Sequence, residues 1–350
     1  MLSIPLVARF ITYNVPSQSH LPTTPKSKQD AILYEKICEE HKQLIETLPK
    51  GKGWKVEHLY NYNGFWLDPF AINANLLLHT YFKSQPSDIV LASFMKSGTT
   101  WLKALMFSTI NRHRYTISDH HLLHHSPQNT FPNMEIEFHP TTADFTDLPP
   151  PRLFATHFPQ TLLPPCMTSC KLVYVCRDPK DVLISKWHFM NEIRSKDLDP
   201  LSLDEAFELF CQGVSDYGPF WEHVLQYWRA SLDSPDKVLF FKYEEVKKQP
   251  QVELRKLAAF MGQPFTVEEE ENGVVEDVVK LCCFENLSNL DVNKTGVTDF
   301  RVVEMETRLF FRKGETGDWK NYLSNEMKER IDEITDDKFK SSGLVLGAKV

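Results

Sequence analysis

An α/β fold with a central parallel β-sheet covered by helices on both faces is what the sequence predicts, and three observations carry the prediction. Four short runs, Asp88–Ser93, Arg152–Thr156, Lys171–Cys176 and Lys237–Phe241, are continuously apolar in their interiors rather than alternating. Strands that are buried on both faces have this character. Helical stretches separate them: Thr100–Asn111, Pro179–Asn191, Leu203–Leu232 (one helix or two) and Gln251–Met261. Strands that alternate with helices belong to parallel βαβ units. Finally, no repeat or low-complexity linker divides the chain after its first helix. A single domain over residues 31–350 is therefore expected.

Taken in order, residues 1–30 read as a disordered N-terminal tail, with one Arg, several Ser and Thr, and no acid before Asp30. Residues 31–48 have the apolar spacing of an amphipathic helix. At the first strand-to-helix junction, Gly98 permits a tight turn and Thr99 and Thr100 suit a helix N-terminus. The run His120-His121-Leu-Leu-His124-His125 is followed by Pro127, Asn129 and Pro132, so a loop is expected there rather than a metal-binding helix. At the third strand, Pro179 fits a first helical turn and Asp181 its positive end. Glu268–Glu271 reads as a solvated acidic turn ahead of a helix. Phe65, Trp66, Phe94, Phe158, Phe189, Phe220 and Trp221 are expected to pack the core, with lining of an apolar pocket as the alternative.

Composition narrows the function. At 350 residues, 42% apolar and 25% charged, the chain is ordinary globular material. Its net charge of −8 argues against a nucleic-acid or anionic-membrane coat, so a bound anion must be held by fixed local donors. No apolar run approaches the length of a bilayer span. The seven cysteines include no CxxC pair, which suits a reduced thiol set.

In an open parallel sheet, ligands sit beyond the carboxyl ends of the strands. The chemistry-bearing residues fall there. Lys96-Ser97-Gly98-Thr99-Thr100-Trp101 follows the first strand, offering backbone N–H groups, hydroxyls and an ammonium to an anion. Its lysine precedes the glycine, so it is not the Walker pattern. The bland reading is an N-capped turn. Arg177 follows the third strand, with Ser185 two turns along the next helix; it serves either as a phosphate fork or in a structural ion pair with Asp178. His157 ends the second strand and is either structural or a general base. Arg312-Lys313-Gly314 is either a flexible clamp on a second phosphate or solvated charge.

These residues resemble the cytosolic sulfotransferases, most closely those of plants, over roughly Leu48 to Leu346. The resemblance rests on KSGTTWLKAL (Lys96–Leu105), ATHFP (Ala155–Pro159) and CRDPKDVLIS (Cys176–Ser185). FKYEEVKKQP (Phe241–Pro250), FENLSNLDVNKTG (Phe284–Gly296) and FRKGETGDWKNYL (Phe311–Leu323) extend it. It implies a P-loop-like sulfotransferase fold, a cytoplasmic enzyme and 3′-phosphoadenosine 5′-phosphosulfate as co-substrate, with no metal. The acceptor it implies is a small hydroxylated plant metabolite: a flavonol, hydroxyjasmonate, brassinosteroid or desulfoglucosinolate. Neither nucleic acid nor membrane is an expected partner.

The same resemblance distributes the roles. Lys96 to Trp101 would wrap the 5′-phosphosulfate, with Trp101 stacking on adenine, Tyr243 reaching it and Phe284 packing beside it. Arg177, Ser185, Arg312, Lys313 and Gly314 would hold the 3′-phosphate. His157 and Lys96 would be catalytic, the first taking the acceptor's proton and the second meeting charge on the leaving oxygen. The rival readings are an ATP-dependent P-loop kinase, disfavoured by the misplaced lysine, and a catalytically silent relative. The sequence departs from the family's pattern in four places. Met95 replaces a proline before the loop, and Ala155 stands where animal members carry lysine. Cys282-Cys283 replaces hydroxyl residues, and Ser324-Asn325 interrupts the KxxxTVxxxE dimer motif between Lys320 and Glu329. A monomer or weak homodimer is the resulting expectation.

Overall fold

A computed structural model describes residues 28–140, 145–300 and 304–346. The tail expected over residues 1–30 lies, up to residue 27, outside the described residues. The first helix begins at Lys28 and ends at Glu46, three residues ahead of its expected start.

Among the described residues nine strands follow in chain order: β1 (Lys50–Lys52), β2 (His58–Tyr62), β3 (Phe65–Leu67), β4 (Ile89–Ser93), β5 (Leu153–Thr156), β6 (Lys171–Cys176), β7 (Val238–Lys242), β8 (Val297–Asp299) and β9 (Glu304–Glu306). The four expected strands form one sheet in the order β5-β4-β6-β7, with every pairing parallel. Side chains alternate across it with a period of two. Val90 and Ala92 face one apolar cluster together with Tyr174 and Cys176. Ile89 and Leu91 face the other together with Val173 and Val175. Both sides are dry, which is why these strands read as unbroken apolar runs.

Helices Thr99–Asn111, Pro250–Phe260 and Val274–Cys282 cover one face. Helices Pro69–Tyr81, Pro179–Glu192, Phe220–Asp233 and Asn325–Phe339 cover the other. The stretch Leu203–Leu232 resolves into two helices, Leu203–Cys211 and Phe220–Asp233, divided by a turn through Gly213 at φ 81°. At the amino end of the sheet, Arg152 donates two hydrogen bonds to the carboxylate of Asp88, at 2.7 and 2.6 Å, and both side chains are fully buried. This pair ties the start of β5 to the start of β4.

Several elements differ from expectation. β1, β2 and β3 form an unforeseen antiparallel sheet. Its β2–β3 turn is Asn63-Gly64, with φ of 51° and 87°, the two-residue hairpin turn for which that dipeptide is suited. Glu268–Glu271 belongs to a helix, Val267–Glu271, rather than a turn. Thr266 and Glu269 form a capping box at its start, and Arg112 binds Glu269 through both carboxylate oxygens, at 2.6 and 3.2 Å. The histidine run is built around one 3₁₀ turn, His121–Leu123, flanked by His120 and His124, and His121 and His125 stack with ring centres 4.1 Å apart. Phe65, Phe94, Phe158, Phe220 and Trp221 are all buried in the core.

Candidate active site

Every residue singled out after a strand arrives at the carboxyl edge of the central sheet. β4 ends at Ser93, β5 at Thr156, β6 at Cys176 and β7 at Lys242. The adjacent strands therefore deliver Lys96, His157, Arg177 and Tyr243 to one rim.

The loop after β4 is built for close approach. Lys96 sits at φ 68°, a left-handed conformation that costs a non-glycine residue about 1 kcal/mol or more. Gly98, at φ 116°, caps the helix Thr99–Asn111, and a Cβ there would lie 2.7 Å from the Tyr243 ring. The Oγ of Thr99 lies 2.6 Å from that of Ser93, and Thr100 accepts a 2.7 Å bond from the Gln128 amide. Each threonine hydroxyl keeps the capacity for a further bond.

The clamp is drawn in from far along the chain. The Asp181 carboxylate accepts from the backbone N–H groups of Gly317 (2.7 Å) and Trp319 (3.1 Å). Arg177 donates to the carbonyl of Glu315 and lies 3.6 Å from Asp181. Gly314, at φ 64°, rests on Phe284, whose Cγ would be 2.3 Å from an added Cβ. Tyr243 donates to the Gly314 carbonyl at 3.3 Å and meets Trp101 edge-on, ring centres 5.5 Å apart. Ser185 is buried within the helix Pro179–Glu192. Arg312 and Lys313, the latter with its side chain still exposed, both bind the buried Asp318 at 2.6 Å and, against its burial, hold its carboxyl well below the ordinary range.

The electrostatics are those of an anion receptor. Burial, reinforced by the neighbouring Arg312, Arg177 and Lys186, pushes the Lys96 ammonium down to about 7. Its Nζ lies 4.1 Å from the Phe189 ring centre and 6.0 Å from that of Phe310. Four buried polar atoms here have no hydrogen-bond partner among the described residues: Ser97 Oγ, Trp101 Nε1, Arg177 Nε and Arg312 Nε. Such donors cost about 1–3 kcal/mol each when unmatched. A polyanionic nucleotide fits this set, because it supplies acceptors where donors and like charges already converge.

His157 stands beside this cluster. Its Nδ1 lies 2.8 Å from the Ser93 carbonyl, which only accepts, so the proton sits on Nδ1 and Nε2 keeps its lone pair. Burial takes the imidazole down to about 4, opposed by the Ser93 bond and reinforced by Lys186, Lys103 and Lys96. The ring is therefore neutral at physiological pH.

Three groups at this site were not foreseen from sequence. Lys186 is fully buried against Asp216, 3.2 Å from its carbonyl and 3.4 Å from its carboxylate, and touches Met95 Sδ at 3.6 Å. Glu135 binds the His157 backbone N–H, and Asp181 anchors the clamp. An isolated lysine next to Ser185 or a glutamate 22 residues before His157 carries no motif-like signal. Cys282 is buried 3.4 Å from Ser108, its thiol raised to about 12 by burial, while Cys283 caps the helix Phe284–Asn289. No group of three or more His, Cys, Asp or Glu among the described residues is arranged to hold a metal ion. No helix among them is long and apolar enough to cross a membrane.

Residues 86–343 match the sulfotransferase domain model. The chain is 42% identical over 331 residues to cytosolic sulfotransferase 15 of Arabidopsis thaliana, covering 91% of this chain and 89% of that protein. A solved Arabidopsis thaliana sulphotransferase superposes with a TM-score of 0.70 at 37% identity, over 89% of this chain and 97% of that one. A mouse sulfotransferase crystallised with PAP superposes with a TM-score of 0.63 at 25% identity, over 81% and 95%.

Proposed function

The chain belongs to the sulfotransferase family, and from that premise we propose that it is a cytoplasmic plant enzyme that sulfates a hydroxyl of a small metabolite, with His157 as general base. The donor is 3′-phosphoadenosine 5′-phosphosulfate, the sulfated form of the PAP molecule held by the mouse relative. The observation that carries the reading is the convergence of unmatched donors and mutually repelling cations around Lys96, next to a neutral imidazole with a free lone pair.

The donor supplies an electrophilic sulfur together with its own leaving group. Ser97, Gly98, Thr99 and Thr100 present hydroxyls and helix N-terminal amides to the 5′-phosphosulfate. Trp101, Tyr243 and Phe284 give the adenine an aromatic setting, and stacking on one such ring is worth roughly 1–3 kcal/mol. Arg177, Ser185, Arg312, Lys313 and Gly314 hold the 3′-phosphate. Nε2 of His157 takes the acceptor's proton as its oxygen bonds to sulfur and the bond from sulfur to the bridge oxygen breaks. Lys96 meets the negative charge left on that oxygen, a preplaced electrostatic contribution. Burial is the main cause of the low His157 pKa; the two anionic groups offset the smaller contribution of Lys186, Lys103 and Lys96 and so raise it.

The acceptor is a flavonol, hydroxyjasmonate, brassinosteroid or desulfoglucosinolate, handled by a monomer or weak homodimer. Labelled donor offered with phenols, sterols, hydroxy acids and oximes tests the acceptor class, and the mass of the protein by light scattering tests the oligomeric state. His157→Ala should lower turnover on the acceptor so found by roughly 10²–10⁴-fold while adenosine 3′,5′-bisphosphate still binds. Unchanged turnover removes His157 from the mechanism.

A further inference from the structure

We propose that Glu135 and His223 are positioning residues that grip the His157 backbone from its two sides and so fix where Nε2 points; this rests on the reading of His157 as the general base. β5 ends at Thr156, so the peptide groups that follow have no sheet ladder to join and need other partners. Side chains supply them. Glu135 Oε1 accepts from the His157 N–H and, at 2.7 Å, from Thr156 Oγ1. On the other side His223 Nε2 lies 2.9 Å from the His157 carbonyl, and its Nδ1 lies 2.9 Å from the Tyr174 hydroxyl. A carbonyl only accepts, so Nε2 carries the proton and Nδ1 accepts from Tyr174. Tyr227, one turn beyond His223, donates to the next carbonyl, that of Phe158, at 2.8 Å.

Each grip comes from a rigid source. Glu135 belongs to the short helix Met134–Glu137, which is tied to the edge of β5: Asn133 bridges Ala155, and the Ala155 N–H donates to Pro132 at 2.9 Å. His223 stands on the helix Phe220–Asp233 and rests on Tyr174 in the middle of β6. With Nδ1 of His157 bound to the end of β4, the residue is referenced to two strands of the sheet and two covering helices.

The choice of a carboxylate is costly for a structural bond alone. Glu135 is 2% exposed, and its Oε2 has no hydrogen-bond partner among the described residues. A hydroxyl or amide would satisfy the same N–H without burying a charge-bearing group. Departures from local economy of this kind gather at functional sites. A displacement of about 1 Å at such a site is enough to cost on the order of 10²-fold in rate.

The test is a double-mutant cycle on the full chain, read by turnover, donor KM, melting temperature and bisphosphate binding. Glu135→Ala should lower kcat about ten- to a hundredfold with donor KM changed less than about twofold. Glu135→Gln, which keeps an accepting oxygen, should recover most of that loss. In the His157→Ala background, Glu135→Ala should lower kcat no further, because the group it positions is gone. His223→Phe gives a second arm if Glu135→Ala fails to fold: it keeps a ring in place, removes the donor to the His157 carbonyl together with the acceptor for the Tyr174 hydroxyl, and should show the same non-additivity. A folded Glu135→Ala or His223→Phe protein with unchanged kcat overturns the proposal. So does an equal loss with and without His157, and in both cases an impaired His157→Ala leaves the base assignment standing. If His157→Ala itself keeps full turnover, the base assignment fails and this inference falls with it.

Discussion

Adenosine 3′,5′-bisphosphate should draw protons into the protein as it binds, and Lys96 should account for most of them. In the empty site this ammonium titrates at about 7, lowered by burial and by Arg312, Arg177 and Lys186. An anion placed among those cations favours the charged ammonium and raises the Lys96 pKa toward the ordinary lysine range. At pH 8 about a tenth of the empty protein carries the Lys96 charge whereas nearly all of the complex does, so about 0.9 proton enters per ligand bound. The figure falls to about half a proton at pH 7 and near zero at pH 6. The sign of the affinity change follows. The complex holds a proton that the empty protein lacks above pH 7, so binding weakens as pH rises, by up to about 1.4 kcal/mol per pH unit. Calorimetric titrations at pH 8 in buffers of different ionisation enthalpy measure the proton count directly, and at that pH both phosphates are already ionised. Lys103 and Lys186, each brought down to about 8 by burial, contribute in wild type and variant alike. The difference between wild type and Lys96→Met therefore isolates Lys96. Equal proton uptake in the two proteins, or a wild-type affinity flat from pH 7 to 9, would refute the electrostatic reading of the site.

Two further predictions concern the frame around the site. Arg152→Met leaves the Asp88 carboxylate buried without its partner, and should cost about 3–5 kcal/mol in urea unfolding. Because this pair lies at the opposite end of the sheet, bisphosphate affinity of the folded variant should be unchanged. Asp181→Ala removes the acceptor for the Gly317 and Trp319 N–H groups. With about 1.5 kcal/mol lost from the clamp, bisphosphate should bind about tenfold more weakly, while turnover at saturating donor stays within about twofold.

Much of the architecture was legible because the relevant physics is local. Ile89–Ser93 and Lys171–Cys176 are buried on both faces, and that leaves continuous apolar runs which alternation cannot hide. The helix bounds Thr99–Asn111 and Pro179–Glu192 follow from Gly98 and from Asp178-Pro179, residues whose backbone preferences act at their own positions. The small sheet β1-β2-β3 was not read, although Asn63-Gly64 marks its tightest turn. Its strands are only three to five residues long and half-exposed, too short for a periodic signal. Glu268–Glu271 was misread because a run of acids looks solvated until Arg112, 157 residues away in sequence, is placed against Glu269.

For the site, residue identity and order sufficed to gather Lys96, His157, Arg177 and Tyr243, since a parallel sheet brings the ends of all its strands to one rim. What the linear chain could not express was the mutual environment. That Lys96 shares its surroundings with Arg312, Arg177 and Lys186, and that Glu135 and His223 hold the two sides of one peptide, are consequences of packing. Coulomb and hydrogen-bond energies depend on separation in space, and separation along the chain says nothing about them until the fold has closed.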